Sequence, residues 1–331
     1  MTFSPLRLMR LLLLLPVALF CAFGDETGTN GFDFLSIAPG ARPVALGGAY
    51  SAEAGDLYSF AYNPAGLATL QRPSFIADYM HYVLDMNRGL CGAAIQRERL
   101  GGLCVAGLYV NYFSAGSFEA VNEQGERLPA EDFTAASTEI GLSVARDHLL
   151  PAGGGTLLSG ITLKWVNERI GDSRNDAMAT DVGLQWALPR SRLRLAAAVR
   201  NFGGYGGREV PQAYVLGINY ATQAVQRSVF MLDFYQPVHG EYTARFGAEF
   251  WVNREVAIRG GYRILKSGLY HFLDWLNNEA DEDYIREDFN TWSTGLGLKV
   301  AKRLLLDIAV QGTAFQNMPL IEATLLYSLS K

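Results

Sequence analysis

Few residues in this sequence have the types and spacing that chemistry requires. Gly203 to Gly207 reads Gly-Gly-Tyr-Gly-Gly, but no helix is expected after it, so a flexible loop explains it better than a phosphate cradle. Glu249 and Asp307 could form an acid/base pair, although nothing in the sequence brings them together. The histidines are too scattered to predict a metal site; they are His81, His148, His239 and His271.

The motifs of common hydrolases and metalloproteases are also missing. The chain contains neither a Gly-x-Ser-x-Gly elbow nor a His-Glu-x-x-His pair. A hydrolase at a membrane surface would need a nucleophile and a base in such a constellation. We therefore expect no catalytic, cofactor-binding or metal-ligating residue, and no enzyme activity.

The composition argues against three classes of protein: disordered chains, nucleic-acid-binding proteins and disulfide scaffolds. The 331 residues carry 28 Lys and Arg against 33 Asp and Glu, a formal net charge of −5, and 49% are hydrophobic. That apolar fraction excludes intrinsic disorder. The acidic balance argues against nucleic acid as a partner, because phosphate binding needs a basic surface. With 3 cysteines, the chain cannot form a disulfide scaffold.

Residues 1–24 have the layout of a secretory signal peptide. Arg7 and Arg10 give a positive start, an apolar run follows from Leu11 to Phe23, and Gly24 precedes Asp25. The run is too short for a membrane-spanning helix. The sequence therefore predicts cleavage before Asp25 and an exported mature chain.

The remainder of the chain alternates with a period of two. From Tyr242 to Phe250 every second residue is apolar, and the alternate positions hold Thr243, Arg245, Gly247 and Glu249. Side chains on a strand point alternately to its two faces, so this pattern predicts strands. Fourteen segments follow it: 74–83, 88–97, 101–113, 135–147, 155–170, 176–188, 192–201, 211–222, 226–235, 240–251, 254–264, 291–300, 302–313 and 319–329.

Three features favour a transmembrane barrel over a soluble sandwich or propeller. Most segments have about ten residues, the length of a tilted strand that crosses a bilayer. Aromatic residues recur on the apolar phase near segment ends, among them Trp165, Trp186 and Tyr327. The longest connections, 114–134 and 265–290, follow odd-numbered segments and so share one side. We expect an all-β fold, a 14-stranded antiparallel transmembrane barrel in the outer membrane of a diderm bacterium.

The charges keep to the polar phase, which faces the lumen of such a barrel. Facing lipid would cost an Arg or Lys about 2–4 kcal/mol at the bilayer midplane. Most of these charges should brace or solvate the lumen, and a minority should touch a transported molecule. The predicted lumen charges are Arg245, Glu249, Arg259, Arg263, Lys299 and Asp307, together with Lys164, Asp181, Arg194, Arg200 and Glu322.

Residues 25–73 lack the strand pattern and are predicted to plug the barrel that residues 74–331 form. Asn63 suits a helix N-cap and Pro64 the first helical position, so a short helix should start there. Gly47 and Gly48 suit a bend or a close backbone approach. A 14-stranded lumen has room for such a segment. The plug motif comprises Gly40, Ala41, Arg42, Gly47, Gly48, Asn63, Pro64, Ala65 and Gly66.

The same region resembles a known family. Phe34–Arg42, Leu46–Ser51 and Tyr62–Ala68 resemble the amino-terminal signature of the PorV/PorQ family, relatives of the long-chain fatty acid transporter FadL. The specific likeness covers about residues 33–70, and elsewhere it is architectural. It implies a FadL-like barrel with a hatch inside.

The resemblance implies two functions. Some PorV/PorQ members act in type IX secretion, which implies export or surface attachment of proteins, with cargo proteins or secretion-system subunits as partners. The alternative is a FadL-like channel for hydrophobic small molecules such as fatty acids. Outer-membrane lipid is a partner in either case.

Cys91 and Cys104 lie on consecutive predicted strands, symmetric about a turn at Arg97–Glu98. A tight hairpin there would place the two thiols opposite each other, and export leads to an oxidising compartment. A cross-strand disulfide is one expectation, and two small wall residues are the other.

The long connection 265–290 is rich in large apolar residues followed by acidic ones. Their helical spacing predicts a short amphipathic helix over the barrel mouth. It could simply cap the rim, or it could dock a partner protein or an apolar ligand. The candidate docking residues are Leu269, Phe272, Leu273, Trp275 and Leu276.

Overall fold

The structure is a computed structural model of the chain. It describes residues 31–37, 39–81, 86–99, 102–119, 127, 132–149, 154–188, 191–205, 208–222, 227–265, 291–312 and 319–329. The strands of this part are β1 (Ser74–His81), β2 (Asn87–Arg99), β3 (Gly102–Phe118), β4 (Phe133–Leu149), β5 (Thr156–Ile170), β6 (Ser173–Leu188), β7 (Leu193–Tyr205), β8 (Arg208–Glu209), β9 (Ala213–Thr222), β10 (Ser228–Pro237), β11 (Thr243–Trp251), β12 (Val256–Leu265), β13 (Trp292–Ala301), β14 (Leu304–Gln311) and β15 (Leu320–Ser328).

The strands form one closed antiparallel barrel. Each long strand pairs with its neighbours in the chain, and β1 closes the ring by pairing with both β2 and β15. The two-residue β8 pairs only with the end of β7, while β7 continues directly to β9 in the wall. Fourteen of the fifteen strands therefore build the wall, which confirms the predicted fold class.

Several strands are longer than the sequence pattern indicated. β3 has 17 residues and runs to Phe118, whereas the apolar alternation stops near Phe113. Its pairing with β4 continues past a bulge between Ser114 and Gly116. Backbone pairing does not require an apolar face, so the hairpin extends beyond the region that the hydrophobic pattern marks.

Side chains alternate between the lumen and the outer surface. In β1, Ser74, Ile76, Asp78 and Met80 are buried, and the residues between them are exposed. Large apolar side chains dominate the outer surface all around the wall, with Leu142, Leu184 and Phe246 as examples. An apolar belt facing outward is typical of transmembrane barrels. No helix in the described ranges is long and apolar enough to cross a membrane.

The core of the molecule lies inside the barrel. We call residues 39–70 the inner segment; it carries helices Ala41–Ala45 and Ser59–Tyr62 and the 3-10 helix Pro64–Thr69, after a 3-10 turn at Asp33–Ser36. Its apolar side chains, such as Leu46, Tyr50 and Phe60, are almost fully buried together with inward-facing residues of the wall. We call the barrel end where β1 begins and β15 ends the turn end, and the opposite end the loop end.

The cross-strand disulfide, one of the two expectations for Cys91 and Cys104, is wrong. Cys91 lies opposite Val110, Cys104 lies opposite Arg97, and both thiols are free. β2 continues to Arg99, so the hairpin turns later than the sequence pattern indicated. The charged run before the turn stays in the strand, because the strand end is exposed to water and its backbone remains paired.

Candidate functional site

The inner segment begins with a backbone anchor to the wall. Gly40 has a φ of 109°, a conformation that favours glycine. This geometry directs the Gly40 N–H to the Glu322 carboxylate at 2.6 Å and the Ala41 N–H to the Thr324 hydroxyl at 2.8 Å. Arg88 donates to the same Glu322 and to Asp78, so β1, β2 and β15 converge on the segment's start.

Arg42 then links the segment to β11. Its Nε and Nη2 donate to the two oxygens of Glu249 at 2.8 and 3.0 Å, a bidentate pair. Its Nη1 donates to the Tyr50 hydroxyl at 2.6 Å and to Asp56 at 2.9 Å. Thus one buried guanidinium ties two parts of the inner segment to the barrel wall.

The ion pairs continue across the lumen. Arg259 of β12 donates to Glu249 and to Asp307, both at 2.7 Å, and Asp307 accepts from the Tyr58 hydroxyl at 2.7 Å. We call this set the Arg42 network; it consists of Arg42, Tyr50, Asp56, Tyr58, Glu249, Arg259 and Asp307. Glu249 and Asp307, the two possible acid/base partners in the sequence, are therefore both held by Arg259. Each carboxylate has a permanent cationic partner, which suits a structural brace rather than proton transfer.

Asp56 is a member of this network that lies in the inner segment and has a raised pKa. Burial raises the pKa of Asp56 to about 6, against the opposing effects of Arg42 and the Tyr50 hydroxyl. The Asp56 carboxyl therefore changes its protonation state near neutral pH, while its neighbours in the network hold the inner segment.

The middle of the segment turns at Gly47 and Gly48, with φ values of 66° and 75°. The turn is fastened to the wall, because the Gly47 N–H donates to Ser293 at 3.0 Å and Arg263 donates to the Gly47 carbonyl at 2.8 Å. Just beyond it, the N–H groups of Tyr50 and Ser51 donate to the buried Asp233 carboxylate at 2.9 and 2.8 Å.

The last part of the segment begins where the sequence predicted a helix. The Asn63 side chain accepts from the Ala65 N–H at 3.0 Å, and Pro64 is the first residue of the 3-10 helix. The Asn63 amide also donates to the Ser51 carbonyl at 2.9 Å. Two wall glycines leave room for this cap: a Cβ on Gly183 would overlap Asn63, and one on Gly160 would overlap Pro64.

Glycines of β11 and β12 provide a second seat. Gly247 and Gly261 face each other across the two strands, and a Cβ on either would collide with Leu46 or Gly47. At these two positions no side chain lies between the strand backbone and the inner segment. The seats at Gly183 and Gly247 lie on different strands, so they hold the last part and the middle of the segment.

The outer surface carries an apolar groove over the Gly247–Gly261 pair. Its volume is about 630 Å³, its walls include Tyr220, Phe230 and Phe246, and its floor includes Ala248 and Gly260. The Gly260 position has no neighbouring atom within 4 Å where a Cβ would lie. The groove and the inner segment are therefore separated by glycine backbone alone.

The structure describes the predicted plug-motif residues and the predicted lumen charges. All nine plug-motif residues lie in the inner segment, and the predicted lumen charges Arg245, Glu249, Arg259 and Asp307 are buried within the barrel. Arg263 is partly buried. Lys299 is on the predicted inward phase but is exposed, because β13 reaches water at the turn end. The candidate docking residues Leu269 to Leu276 lie outside the described residues.

Sequence reasoning missed several residues of the lumen. Asp78, Arg88 and Asp233 are buried and hold the inner segment or its neighbours, and each lies on the inward phase of its strand. Strict alternation from the neighbouring residues would have found them. Among the described residues, no group of three His, Cys, Asp or Glu could hold a metal ion.

Comparisons with known proteins bear on the fold. No protein-family model matches the chain, and no curated protein does. The Pseudomonas putida toluene transporter TodX has a similar solved structure, with a TM-score of 0.60 and 13% identity over 87% of this chain and 97% of that one. The Ralstonia pickettii toluene transporter TbuX is similar with a TM-score of 0.59 and 13% identity, over 91% and 99% of the two chains.

A third similar structure is the CymD monoaromatic hydrocarbon channel, with a TM-score of 0.54 and 11% identity over 89% of this chain and 98% of that one. These likenesses cover nearly the whole of each compared chain, so the agreement concerns the complete barrel rather than one hairpin. At such low identity they concern architecture only. The chain folds as a closed 14-stranded antiparallel barrel with the architecture of these structures.

Proposed function

We propose that this protein is an outer-membrane channel for small hydrophobic molecules and that the inner segment closes its lumen. The similar structures are named as toluene transporters or hydrocarbon channels, which supports a transport role without catalysis. The outward apolar belt supports a location in a bilayer, since such a surface is costly in water. An outer membrane is where bacterial barrels of this kind insert.

The apolar groove is the observation that carries the proposal. A hydrophilic solute would need a wet path, yet the inner segment and its ion pairs occupy the lumen of the described barrel. The groove instead offers about 630 Å³ of mainly apolar surface. Only the glycine backbone of the Gly247–Gly261 pair separates this surface from Leu46, so a local parting of β11 and β12 together with a shift of the segment would connect groove and lumen.

Uptake measurements test this role. The chain is expressed in the outer membrane of a host that lacks such channels, and the entry of labelled toluene is compared with that of a hydrophilic sugar. We expect faster toluene entry and unchanged sugar entry relative to the empty vector. Equal acceleration of the sugar would identify a general porin, and no acceleration of toluene would refute the proposal.

A matched pair of variants locates the path. Gly260→Phe should fill the groove and reduce toluene entry severalfold, because Gly260 faces open space and the barrel can accept the ring. Ile258→Phe enlarges an outward side chain on the same strand outside the groove lining, and it should leave entry unchanged. Equal entry in both variants would remove the groove from the path.

The sequence resemblance supports a second candidate, a component of protein export or surface attachment. Its support is the PorV/PorQ-like signature of residues 33–70. Deleting the gene in its own host distinguishes the two. An export component should cause loss of surface proteins with type IX sorting domains, whereas a hydrocarbon channel should leave the surface proteins unchanged and slow toluene entry.

A further inference from the structure

A vestibule opens at the turn end, between the inner segment and the ends of β11, β13, β14 and β15. Its volume is about 340 Å³. Leu57 and Leu70 of the inner segment and Leu326 of β15 supply an apolar floor. The vestibule lies on the lumen side of the wall and opens to water, so it is distinct from the apolar groove on the outer surface.

Four cations line this vestibule, namely Arg72, Lys299, Lys302 and Arg303. All four are exposed, and none forms an ion pair with another described residue. Asp56 is the acidic residue of the lining, and it is already held by Arg42 and Tyr50.

Four like charges around a concave, partly apolar surface repel one another and concentrate a positive potential. Such a cleft attracts anions, and it does so most strongly where protein carboxylates do not compensate the charge. The leucine floor favours an anion that carries a hydrocarbon chain, because the chain can cover this apolar surface.

We propose that the vestibule binds amphiphiles with a phosphate head, the phosphate among the four cations and the hydrocarbon chain against the leucine floor. A phosphate monoester carries about −1.5 to −2 charges at pH 7 and three acceptor oxygens, so it matches four cations better than a single carboxylate does. The ligand could be a phosphate-headed lipid that has left the bilayer or a free alkyl phosphate. The site goes beyond the proposed channel, and its binding is measured without any transport.

The test uses the full chain in nanodiscs of phosphatidylethanolamine and short ligands that do not form micelles. Hexyl phosphate, hexanoate, hexanol and inorganic phosphate are titrated by calorimetry. We expect hexyl phosphate to bind at least tenfold more tightly than each of the others. Equal affinity for inorganic phosphate or for hexanol would overturn the amphiphile site, and equal affinity for hexanoate would overturn the phosphate preference.

Two double variants locate the site. Lys299→Gln with Arg303→Gln should weaken hexyl phosphate binding at least tenfold. Arg97→Gln with Arg254→Gln removes two exposed charges at the same end but outside the vestibule, and it should change binding less than twofold. Equal loss in both would indicate general attraction and refute the site. If the first variant fails to show a heat-modifiable folded band, Lys302→Gln alone should still weaken binding about threefold, and no weakening would count against the site.

The source of the phosphate is distinguished by lipid composition. Phosphatidic acid has a phosphate monoester head, unlike phosphatidylethanolamine, so in nanodiscs that contain it a site for such lipids is already occupied and the apparent affinity for hexyl phosphate should fall. A site for free alkyl phosphates should keep its affinity. Both results support the phosphate-headed class and differ only in where the ligand comes from.

Discussion

At the residue scale, Arg42 is the connection between the inner segment and the wall. A buried guanidinium is tolerated only when its donors are paired, and here four hydrogen bonds serve that purpose. Removing one member of a buried pair typically costs about 3–5 kcal/mol because the other charge remains. Arg42 shares its partner Glu249 with Arg259, so the wall and the segment depend on the same carboxylate.

The titration of Asp56 makes the stability of the barrel depend on pH. Its pKa in the folded chain, about 6, lies above its ordinary value of 3.8. The folded state therefore holds the proton to higher pH than the unfolded state does. The stability that this group contributes is fully present below pH 3.8 and is lost as the pH rises through about 6.

We expect Asp56→Asn to remove this dependence, because asparagine does not titrate. The thermal unfolding temperature of the natural chain, followed by heat-modifiability on gels, should fall between pH 4 and pH 7 more than that of the variant. Other groups titrate in both proteins, so the difference between the two curves is the quantity to compare. Parallel curves would show that Asp56 does not titrate in this range.

At the scale of elements, the inner segment is positioned by glycines on the wall strands. Gly183 and Gly160 receive the Asn63–Pro64 cap, and Gly247 and Gly261 receive Leu46 and Gly47. At these four positions the strands contribute paired backbone but no side chain, which leaves space for the inner segment. This allows the helices of the segment to lie directly on the sheet.

Gly183→Ala should loosen the end of the inner segment. The new Cβ would overlap the Asn63 side-chain oxygen that caps the 3-10 helix. Overpacking of this kind costs about 1–3 kcal/mol, and 1.4 kcal/mol corresponds to a tenfold change in an opening equilibrium. We expect roughly tenfold faster chymotryptic cleavage after Tyr62, which precedes the Asn63 cap and is buried in the natural chain.

Gly89→Ala is the matched control for this experiment. Gly89 is also a wall glycine, but the nearest atom to its added Cβ is the Asp78 carbonyl at 4.0 Å. Cleavage in this variant should match that of the natural chain. Similar rates in both variants would mean that the Gly183 seat does not restrain the segment.

At the scale of the whole molecule, the barrel has a charged, occupied lumen inside an apolar outer surface. Inward-facing carboxylates and guanidinium groups bind the inner segment instead of water. This arrangement keeps the polar residues away from lipid and leaves the segment as the body that must move for a wide path to open.

Deleting Phe34–Ala68 should convert the protein into a conducting pore. The deletion removes the inner-segment partners of Glu249, Asp233 and Glu322, so these carboxylates would line a water-filled lumen. In planar bilayers we expect frequent, large single-channel steps from the deletion variant and little conductance from the full chain. Equal conductance of the two proteins would show that the inner segment does not close the barrel.

The sequence by itself determined the fold class and the sidedness of the wall. Alternation with a period of two depends only on neighbouring residues, so Arg245, Glu249 and Asp307 were predicted to face the lumen without knowledge of any partner. The Asn63 cap was predictable for the same reason, since it joins residues two positions apart. The resemblance to the PorV/PorQ signature rests on sequence alone.

Only the tertiary structure decided which charges meet. The Arg42 network joins residues separated by up to 249 positions, and its geometry depends on the register of strands that close the barrel. The hairpin register also separated Cys91 from Cys104, because the turn came later than the charge pattern indicated. The glycine seats and the vestibule likewise exist only where distant strands and the inner segment come together, and local sequence does not encode such distances.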